Sequence, residues 1–245
     1  DTTKIFHFDA SAESLYGIHQ KFLFLKKRNV PVKNCLIILD YALLSKTENQ
    51  EGHIVRKHYL LTGESKFDFQ FLFFKAYLDR NFLRAYYDLK ITHHFKPYMQ
   101  KVMLRKTFDY EPVTNELQLK SDEAAIGNGT FYNKKKINTF ARKDTLTTKI
   151  SPPVIDSMQW SFLNDIKSIL VEDAADYKII ISPLYHQKYL NPADVKKLKD
   201  IFGPENVFDF SGKNKFTDDY RNYYDIIHYR PTVTRGILKM IYQKQ

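Results

Sequence analysis

The chain has 245 residues, a formal net charge of +10 and a single cysteine, Cys35. One cysteine excludes a disulfide framework and a cysteine-rich zinc module, and no apolar run approaches the ~18 residues that a membrane span needs. The positive charge, together with 19 Phe and 17 Tyr, fits binding to nucleic acid, to an anionic polysaccharide or to an anionic membrane surface. Composition alone favours a soluble protein whose helices carry solvated lysines.

The first 45 residues predict a strand, a helix and a second strand. Lys4–Asp9 is short and rich in β-prone residues, and the small polar residues after it suit a turn and a helix start. Apolar residues at helical spacing then predict one inward helix face: Leu15, Ile18, Phe22 and Leu25. The run Cys35–Leu39 is apolar at every position and is followed by Asp40, which is typical of a strand buried on both faces in a parallel sheet.

Residues 46–150 interrupt this alternation and are interpreted as an insertion. Its first part, Phe67–Tyr87, is helix-like and aromatic, and we expect the Phe-rich residues 67–78 to form the core of the insertion against the sheet. In its second part, Gly127-Asn128-Gly129 favours a hairpin turn. A basic run follows, and its cations are candidate contacts for an anionic glycan, with a solvated face as the alternative: Lys134, Lys135, Lys136, Arg142 and Lys143.

The remaining residues, 151–245, return to alternating helices and strands. Lys178–Ser182 predicts a second apolar strand, and Val207–Phe210 is a third strand candidate. Asn191-Pro192 predicts a helix start, because Asn is a favoured N-cap and Pro suits the first helical position. A final helix is expected from about Thr232 to Gln243, with apolar residues at helical spacing.

This order of elements predicts a single α/β domain that covers residues 1–245. Its core comprises residues 1–45 and 151–245 in three layers, and the largely helical insertion 46–150 forms a cap. An insertion after Asp40 leaves the sheet at the edge where such folds bind ligands, so we expect the cap to present Lys134–Lys149 towards that cleft.

The residues most suggestive of chemistry are Asp225 and His228, three apart in a loop before the last helix. At this spacing the carboxylate can accept a hydrogen bond from one ring nitrogen of the histidine. The other nitrogen is then left as a proton acceptor, which is the base and its orienting carboxylate in a nucleophilic triad. The alternative is structural, with Asp225 capping a turn and His228 packing on the nearby tyrosines.

This D-x-x-H motif, placed before the final helix of a small α/β chain, resembles the last motif of the SGNH/GDSL hydrolase superfamily. Three further segments agree in order: KIFHFDASAESLY (4–16) resembles the second strand and its turn, LIILD (36–40) the third strand, and IIISPLY (179–185) the strand before the last motif. The resemblance is closest to SGNH-like proteins of bacterial cell-surface polysaccharide modification, such as alginate O-acetyltransferases and DltD-type proteins.

The resemblance implies a flavodoxin-like sheet, ester chemistry and a domain outside the cytoplasm, periplasmic or at the cell surface, anchored by an N-terminal segment. Three family motifs differ here. The Gly of the second motif would fall near Asp9–Ala12, where no Gly occurs. No Gly-Asp-Ser nucleophile motif occurs in these residues, so the serine is expected upstream of residue 1. The third motif, usually Gly-x-Asn-Asp, is replaced by Asp40-Tyr41-Ala42-Leu43.

A flavodoxin-like strand order of 2-1-3-4-5 carries a geometric expectation. The first strand lies between the second and third, so Ile5–Phe8 and Leu36–Leu39 are expected to be parallel strands that do not pair directly. Either an upstream segment that carries the nucleophile or another segment of this chain would fill the gap.

The sequence therefore predicts a serine esterase or O-acyltransferase acting on acyl esters of a cell-surface glycan, with His228 as base and Asp225 as its orienter. A membrane-bound acyltransferase is a candidate partner. The alternative is a catalytically inactive SGNH-like scaffold that binds polysaccharide or a membrane partner. No cofactor, metal or nucleic acid is expected, and His53, His58 and the pair His93-His94 are interpreted as ordinary surface or core histidines.

Overall fold

The computed structural model describes residues 5–103, 109–142 and 148–242. The chain forms two compact units: Asp1–Glu13 with Asn49–Lys120, here called the helical unit, and Ser14–Glu48 with Ser121–Gln245, here called the α/β unit. Residues 121–150 therefore group with the sheet, and the first 13 residues group with the middle of the chain. The boundaries of these units therefore differ from those of the insertion, residues 46–150, that the sequence predicts.

A parallel three-stranded sheet organises the α/β unit. Its strand order is β1 (Asn34–Leu39), β5 (Asp176–Ile181) and β7 (Val207–Asp209). The register brings the last residues of the three strands level with one another. Since the strands are parallel, their carboxyl ends meet at one edge of the sheet, which is where ligands bind in open α/β sheets.

The central strand β5 is buried on both faces, as its sequence predicts. Ile179 and Ile181 join one apolar cluster, whereas Ile180 points to the opposite face and joins another. Three long helices pack side chains into the first cluster beside those of the strands: α1 (Leu15–Lys27), α8 (Ser157–Glu172) and α9 (Pro192–Phe202). The second cluster takes them from α10 (Pro231–Tyr242), which begins directly after the D-x-x-H loop and agrees with the expected final helix.

Short elements complete the α/β unit. The strand β4 (Lys149–Ile150) pairs in parallel with β6 (Lys188–Tyr189), beside the carboxyl ends of the main strands. The remaining pieces are short helices: α2 (Tyr41–Leu44), α6 (Lys120–Gly127) and α7 (Lys134–Thr139). The expected hairpin at Gly127-Asn128-Gly129 is wrong, because these residues end α6; Gly129 takes a positive φ of 75° and its N–H donates to the Ile126 carbonyl.

The described residues of the helical unit form three helices, a 3₁₀ turn (Pro97–Lys101) and one antiparallel pair of strands. These elements are α3 (Tyr59–Thr62), α4 (Lys66–Tyr77), α5 (Arg80–Thr92), β2 (Asp109–Tyr110) and β3 (Leu117–Gln118). The Phe-rich helix α4 departs from expectation, because only its Phe69 is buried. Four further Phe side chains remain exposed: Phe67, Phe71, Phe73 and Phe74. A helix that is apolar on all sides cannot bury every side against one neighbour.

The predicted N-terminal strand is wrong. Residues 5–10 form no strand, and Ile5 and Phe6 are exposed; Lys4 lies outside the described residues. The His7 N–H donates to the Thr114 carbonyl and the His7 carbonyl accepts from Asn115 Nδ2, both near the turn that joins β2 to β3. The backbone at His7 is therefore satisfied by a turn of the helical unit rather than by a ladder beside β1, and the expected parallel arrangement with Leu36–Leu39 is not present.

The strand β1 lies at an edge of the sheet. Among the described residues no strand pairs with the side of β1 that faces away from β5. Its burial alternates: Ile37 and Leu39 are buried, whereas Leu36 and Ile38 are about 40% exposed, at 37% and 41%. The expectation of a strand buried on both faces is therefore wrong for β1, because nothing in the described chain fully covers its second face.

No helix within the described residues combines the length and the hydrophobicity that crossing a bilayer requires.

Candidate functional site

A tight loop between β7 and α10 carries Asp225 and His228. The Tyr224 N–H donates to the His228 carbonyl at 2.8 Å, and Tyr223 faces Tyr229 as an isolated antiparallel bridge. These contacts close the loop like a hairpin, with the D-x-x-H residues at its tip. The local chain therefore sets the geometry of the pair with few long-range contacts.

Inside this loop the Asp225 carboxylate contacts three nitrogen atoms, one of the His228 ring and two of the backbone. His228 Nδ1 lies 2.8 Å from Asp225 Oδ2 and 3.0 Å from Oδ1. The backbone N–H groups of Ile227 and His228 both donate to Oδ1 at 2.9 Å, which is the pattern of an Asx turn. The predicted contact between the two side chains is confirmed, and so is the turn-capping role that the structural alternative assigned to Asp225.

The pKa values of the pair move in opposite directions. Burial acts to raise the pKa of Asp225, but the hydrogen bonds from the His228 ring and the two backbone N–H groups outweigh it and lower the pKa to about 2. The bond to Asp225 raises the pKa of His228 above the ordinary histidine value, against the opposing effect of burial. The carboxylate therefore holds Nδ1 as the donor and leaves Nε2 as the position that exchanges a proton.

His228 Nε2 has no hydrogen-bond partner in the described part of the chain. The side chain of His228 is 65% exposed, and the neighbouring Ile226 and Ile227 are exposed as well. The imidazole is thus accessible to an incoming group rather than sealed beneath the tyrosines.

A buried tyrosine ties the loop to the sheet. Tyr223 is fully buried, and its hydroxyl donates to the Pro183 carbonyl at 2.6 Å. Since Pro183 follows the end of β5 by two residues, this bond connects the base of the loop with the carboxyl end of the central strand.

A second anchor comes from α6. Glu123 accepts from Arg230 Nε at 2.9 Å and from Arg230 Nη2 at 2.7 Å, and the Tyr224 hydroxyl donates to the same carboxylate at 2.5 Å. The bond from Arg230 lowers the pKa of Glu123 despite partial burial. A charge-assisted, two-pronged contact of this kind fixes orientation, and it holds both ends of the D-x-x-H segment.

An aromatic cluster lies between the basic segment and the loop. Phe140, Tyr185 and Tyr223 form its buried centre, with Tyr132 and Tyr220 packed against them. The Tyr132 hydroxyl also donates to the Tyr223 carbonyl at 2.8 Å. Residues 131–142 therefore support the loop, although sequence reasoning assigned this segment to a cap.

The predicted glycan-binding cations have different environments. Lys134 is exposed, and Lys136 Nζ lies 4.8 Å from the centre of the Phe131 ring. Arg142 is engaged inside the unit: its guanidinium stacks 3.8 Å from the Tyr185 ring and donates to the Tyr185 and Thr217 carbonyls. The Lys135 side chain and Lys143 lie outside the described residues. The role of all five cations in glycan binding stays a prediction.

A small cavity lies at the carboxyl edge of the sheet, and sequence reasoning did not identify it. It measures about 110 Å³. Polar residues that directly follow or lie near the strand ends contribute to its wall: Asp40 after β1, Ser182 after β5, Ser211 after β7, and His186 and Lys188 from the segment at β6. The sequence feature that could have identified the cavity is the position of these residues, because a polar residue at the carboxyl end of a parallel strand is a candidate ligand contact. Asp225 and His228 do not line this cavity.

The hydroxyl of Tyr229 connects the two regions. It lies beside the Ser182 side chain, and burial raises its pKa. Since Tyr229 directly follows His228, the loop and the cavity are joined through adjacent residues.

In the described ranges, no three His, Cys, Asp or Glu side chains cluster in a way that could hold a metal ion. Comparison of the chain with protein-family models, with curated proteins and with solved structures finds no match.

Proposed function

We propose that the chain provides the His–Asp part of an SGNH-like serine esterase or O-acyltransferase that acts on acyl esters of a cell-surface glycan. The observation that carries this proposal is the 2.8 Å contact between His228 Nδ1 and Asp225 Oδ2 with Nε2 open to solvent. The proposal includes a flavodoxin-like arrangement for the α/β unit, of which the parallel order β1-β5-β7 is the part observed.

In this proposal His228 Nε2 accepts the proton of a serine hydroxyl as that oxygen attacks the carbonyl carbon of the ester. The proton then passes to the sugar oxygen that leaves, and an acyl-serine remains. Water or an acceptor hydroxyl, deprotonated by the same nitrogen, then attacks the acyl-serine carbonyl; the bond to the serine oxygen breaks, and that oxygen takes the proton back from His228. Asp225 keeps Nδ1 protonated and stabilises the imidazolium that forms in each step.

The nucleophilic serine is proposed to come from a segment outside these 245 residues. The edge of β1 that no described strand pairs supports this, because an added strand there would pair the backbone groups of β1. The carboxyl end of such a strand would lie at the same edge of the sheet as the cavity.

The glycan is proposed to be anionic, since the chain has a net charge of +10 and Lys134 and Lys136 lie on the segment that supports the loop. A periplasmic or cell-surface location and a membrane-bound acyltransferase partner complete the proposal. The location and the partner are both taken from the family resemblance. The open imidazole is compatible with either water or a sugar hydroxyl as the acceptor of the acyl group.

A non-catalytic scaffold that binds polysaccharide or a membrane partner is the second candidate. Two observations favour it: the Asp225 carboxylate already caps its own turn, and Ala42 stands where the third motif of the family has the asparagine that donates its side-chain amide. In a scaffold of this kind, the exposed His228 would not act as a base.

The test uses the full encoded protein and an O-acetylated anionic polysaccharide, with acetate release and acetyl transfer as readouts. His228→Asn is expected to lower turnover by roughly 10³-fold or more, because it removes the base. Asp225→Asn keeps an oxygen for the turn but loses the carboxylate, and a loss of roughly 10²-fold or more is expected. Asp219→Asn is the matched control, because Asp219 caps a neighbouring turn by accepting from the Arg221 N–H, and its turnover should stay at the wild-type level.

Wild-type turnover in His228→Asn would refute the catalytic proposal. Polysaccharide binding without any turnover in the wild-type protein would favour the scaffold.

A further inference from the structure

We infer that the cavity at the carboxyl edge of the sheet binds the hydroxyl-bearing edge of a single sugar ring. This inference rests on the proposed function, since it assigns a subsite to an uncharged ring of the same anionic glycan. It concerns residues separate from Asp225 and His228, so it can be tested independently.

The cavity is formed by segments that are far apart in the sequence but rigidly joined. Ser151 Oγ accepts from the Asn191 N–H at 3.0 Å, and Ser211 Oγ accepts from the Leu190 N–H at 3.1 Å. The Tyr189 ring packs on Gly212, where a built Cβ would lie only 2.2 Å from the ring. These contacts fix the wall before any ligand arrives, which is the condition for selective polar recognition.

Asp40 supplies an acceptor to this cavity. Its Oδ1 is occupied as the N-cap of α2, where it accepts from the Leu43 N–H at 2.8 Å. No hydrogen bond to Oδ2 occurs within the described residues. A carboxylate oxygen in the wall of a cavity accepts from hydroxyl donors and disfavours an anionic ligand.

His186 supplies a donor. The Lys188 N–H donates to His186 Nδ1 at 3.1 Å, so a neutral His186 carries its proton on Nε2. Burial, and then the charge of Lys188, lower the pKa of His186 below its ordinary value, which keeps the ring neutral at pH 7. The Lys188 ammonium itself lies 4.9 Å from the centre of the Tyr41 ring and is engaged there.

The resulting lining has an acceptor at Asp40, a neutral donor at His186, a hydroxyl at Ser182 and apolar side chains such as Leu184 between them. Sugar hydroxyls both donate and accept, and the faces of a sugar ring are apolar, so they satisfy this mixed lining. At about 110 Å³, the cavity is small beside the ~300–1,000 Å³ of pockets that enclose drug-sized ligands, so it fits one ring edge rather than an oligosaccharide.

The experiment measures binding of methyl glycosides of glucose, galactose, mannose and N-acetylglucosamine by NMR titration of the protein. At least one glycoside is expected to bind with millimolar affinity. Asp40→Asn keeps the oxygen that caps α2 but removes the charge, and His186→Asn keeps an acceptor for the Lys188 N–H but removes the Nε2 donor. Each should weaken binding at least tenfold without unfolding the protein.

The matched control is Asp156→Asn, which alters an N-cap carboxylate of the same unit on α8 and should bind as the wild type does. Absence of binding by all four glycosides, or unchanged binding in Asp40→Asn and His186→Asn, would overturn the inference. Binding of inorganic phosphate, without binding of the glycosides, would also overturn the inference. His228→Asn separates the two proposals: it should abolish turnover and leave glycoside binding unchanged, so failure of one proposal is distinguishable from failure of the other.

Discussion

The Asp225–His228 loop and the strand-edge cavity lie in the same unit but are built in different ways. The loop places its two polar side chains within four residues and fixes them with its own N–H groups. The cavity brings together Asp40, Ser182 and Ser211, which lie up to 171 residues apart and meet only because three parallel strands end at one edge. The loop depends on local spacing, whereas the cavity depends on the whole fold.

This difference predicts that a core defect near the cavity should disturb the cavity far more than the loop. Asp194 is fully buried on α9 and accepts from the Val154 and Ile155 N–H groups at 2.8 and 3.0 Å. Asp194→Ala leaves the buried Ile155 N–H and the half-buried Val154 N–H without this acceptor, which should lower the free energy of unfolding by about 3 kcal/mol. Urea denaturation measures the loss, and Asp194→Asn, which keeps one acceptor oxygen, should lose less.

In the folded Asp194→Ala protein the segment that carries Ser151 loses its tether, so glycoside binding should weaken while the His228 pKa stays unchanged. Wild-type stability in Asp194→Ala, or an altered His228 pKa, would remove the distinction between the two regions.

The converse prediction concerns the tether of the loop at the buried Tyr223. Tyr223→Phe keeps the buried ring but removes the hydroxyl that donates to the Pro183 carbonyl, so stability should fall by about 1–2 kcal/mol. Tyr242→Phe, at an exposed tyrosine of α10, is the control and should change stability by less than ~0.5 kcal/mol. An equal effect of both substitutions in thermal or urea unfolding would show that the tether does not hold the loop.

The smallest expected effect belongs to the basic segment. Replacing Lys134 and Lys136 with Gln removes two charges from α7 without touching its N-cap, Asn133. Binding to an anionic polysaccharide should weaken a few-fold at low salt, and the difference should vanish as salt screens the charges. Unchanged binding at low salt in isothermal titration would identify these lysines as a solvated face.

Sequence reasoning succeeded where the determinants are local or strongly apolar. Burial of β5 on both faces follows from its run of Ile residues, the Asn191 N-cap follows from its chemistry, and the contact between Asp225 and His228 follows from their spacing. Each of these features needs information from a few neighbouring residues only.

Sequence reasoning failed where the structure of a segment depends on a partner that is distant in the sequence. Lys4–Asp9 has the composition of a strand, but a strand needs a ladder, and the backbone of His7 is satisfied by a turn of the helical unit instead. Cys35–Leu39 is apolar throughout, yet only one face of β1 is fully covered. The cavity was missed for the same reason, because the proximity of Asp40 to Ser182 and Ser211 is a property of strand order and register rather than of any motif.

The pKa of His228, measured by NMR alongside the pH dependence of turnover, tests the central claim most directly. The bond to Asp225 raises this pKa, and a base must be neutral, so turnover should rise with pH through an inflection above 6.5 that coincides with the His228 titration. The same bond stabilises the folded protein while His228 is charged, and that contribution is lost as the pH rises through the raised pKa. Asp225→Asn should move the titration and the kinetic inflection to lower pH together. A pH profile of turnover with no inflection at the pKa of His228, or a His228 pKa that does not fall in Asp225→Asn, would contradict the account.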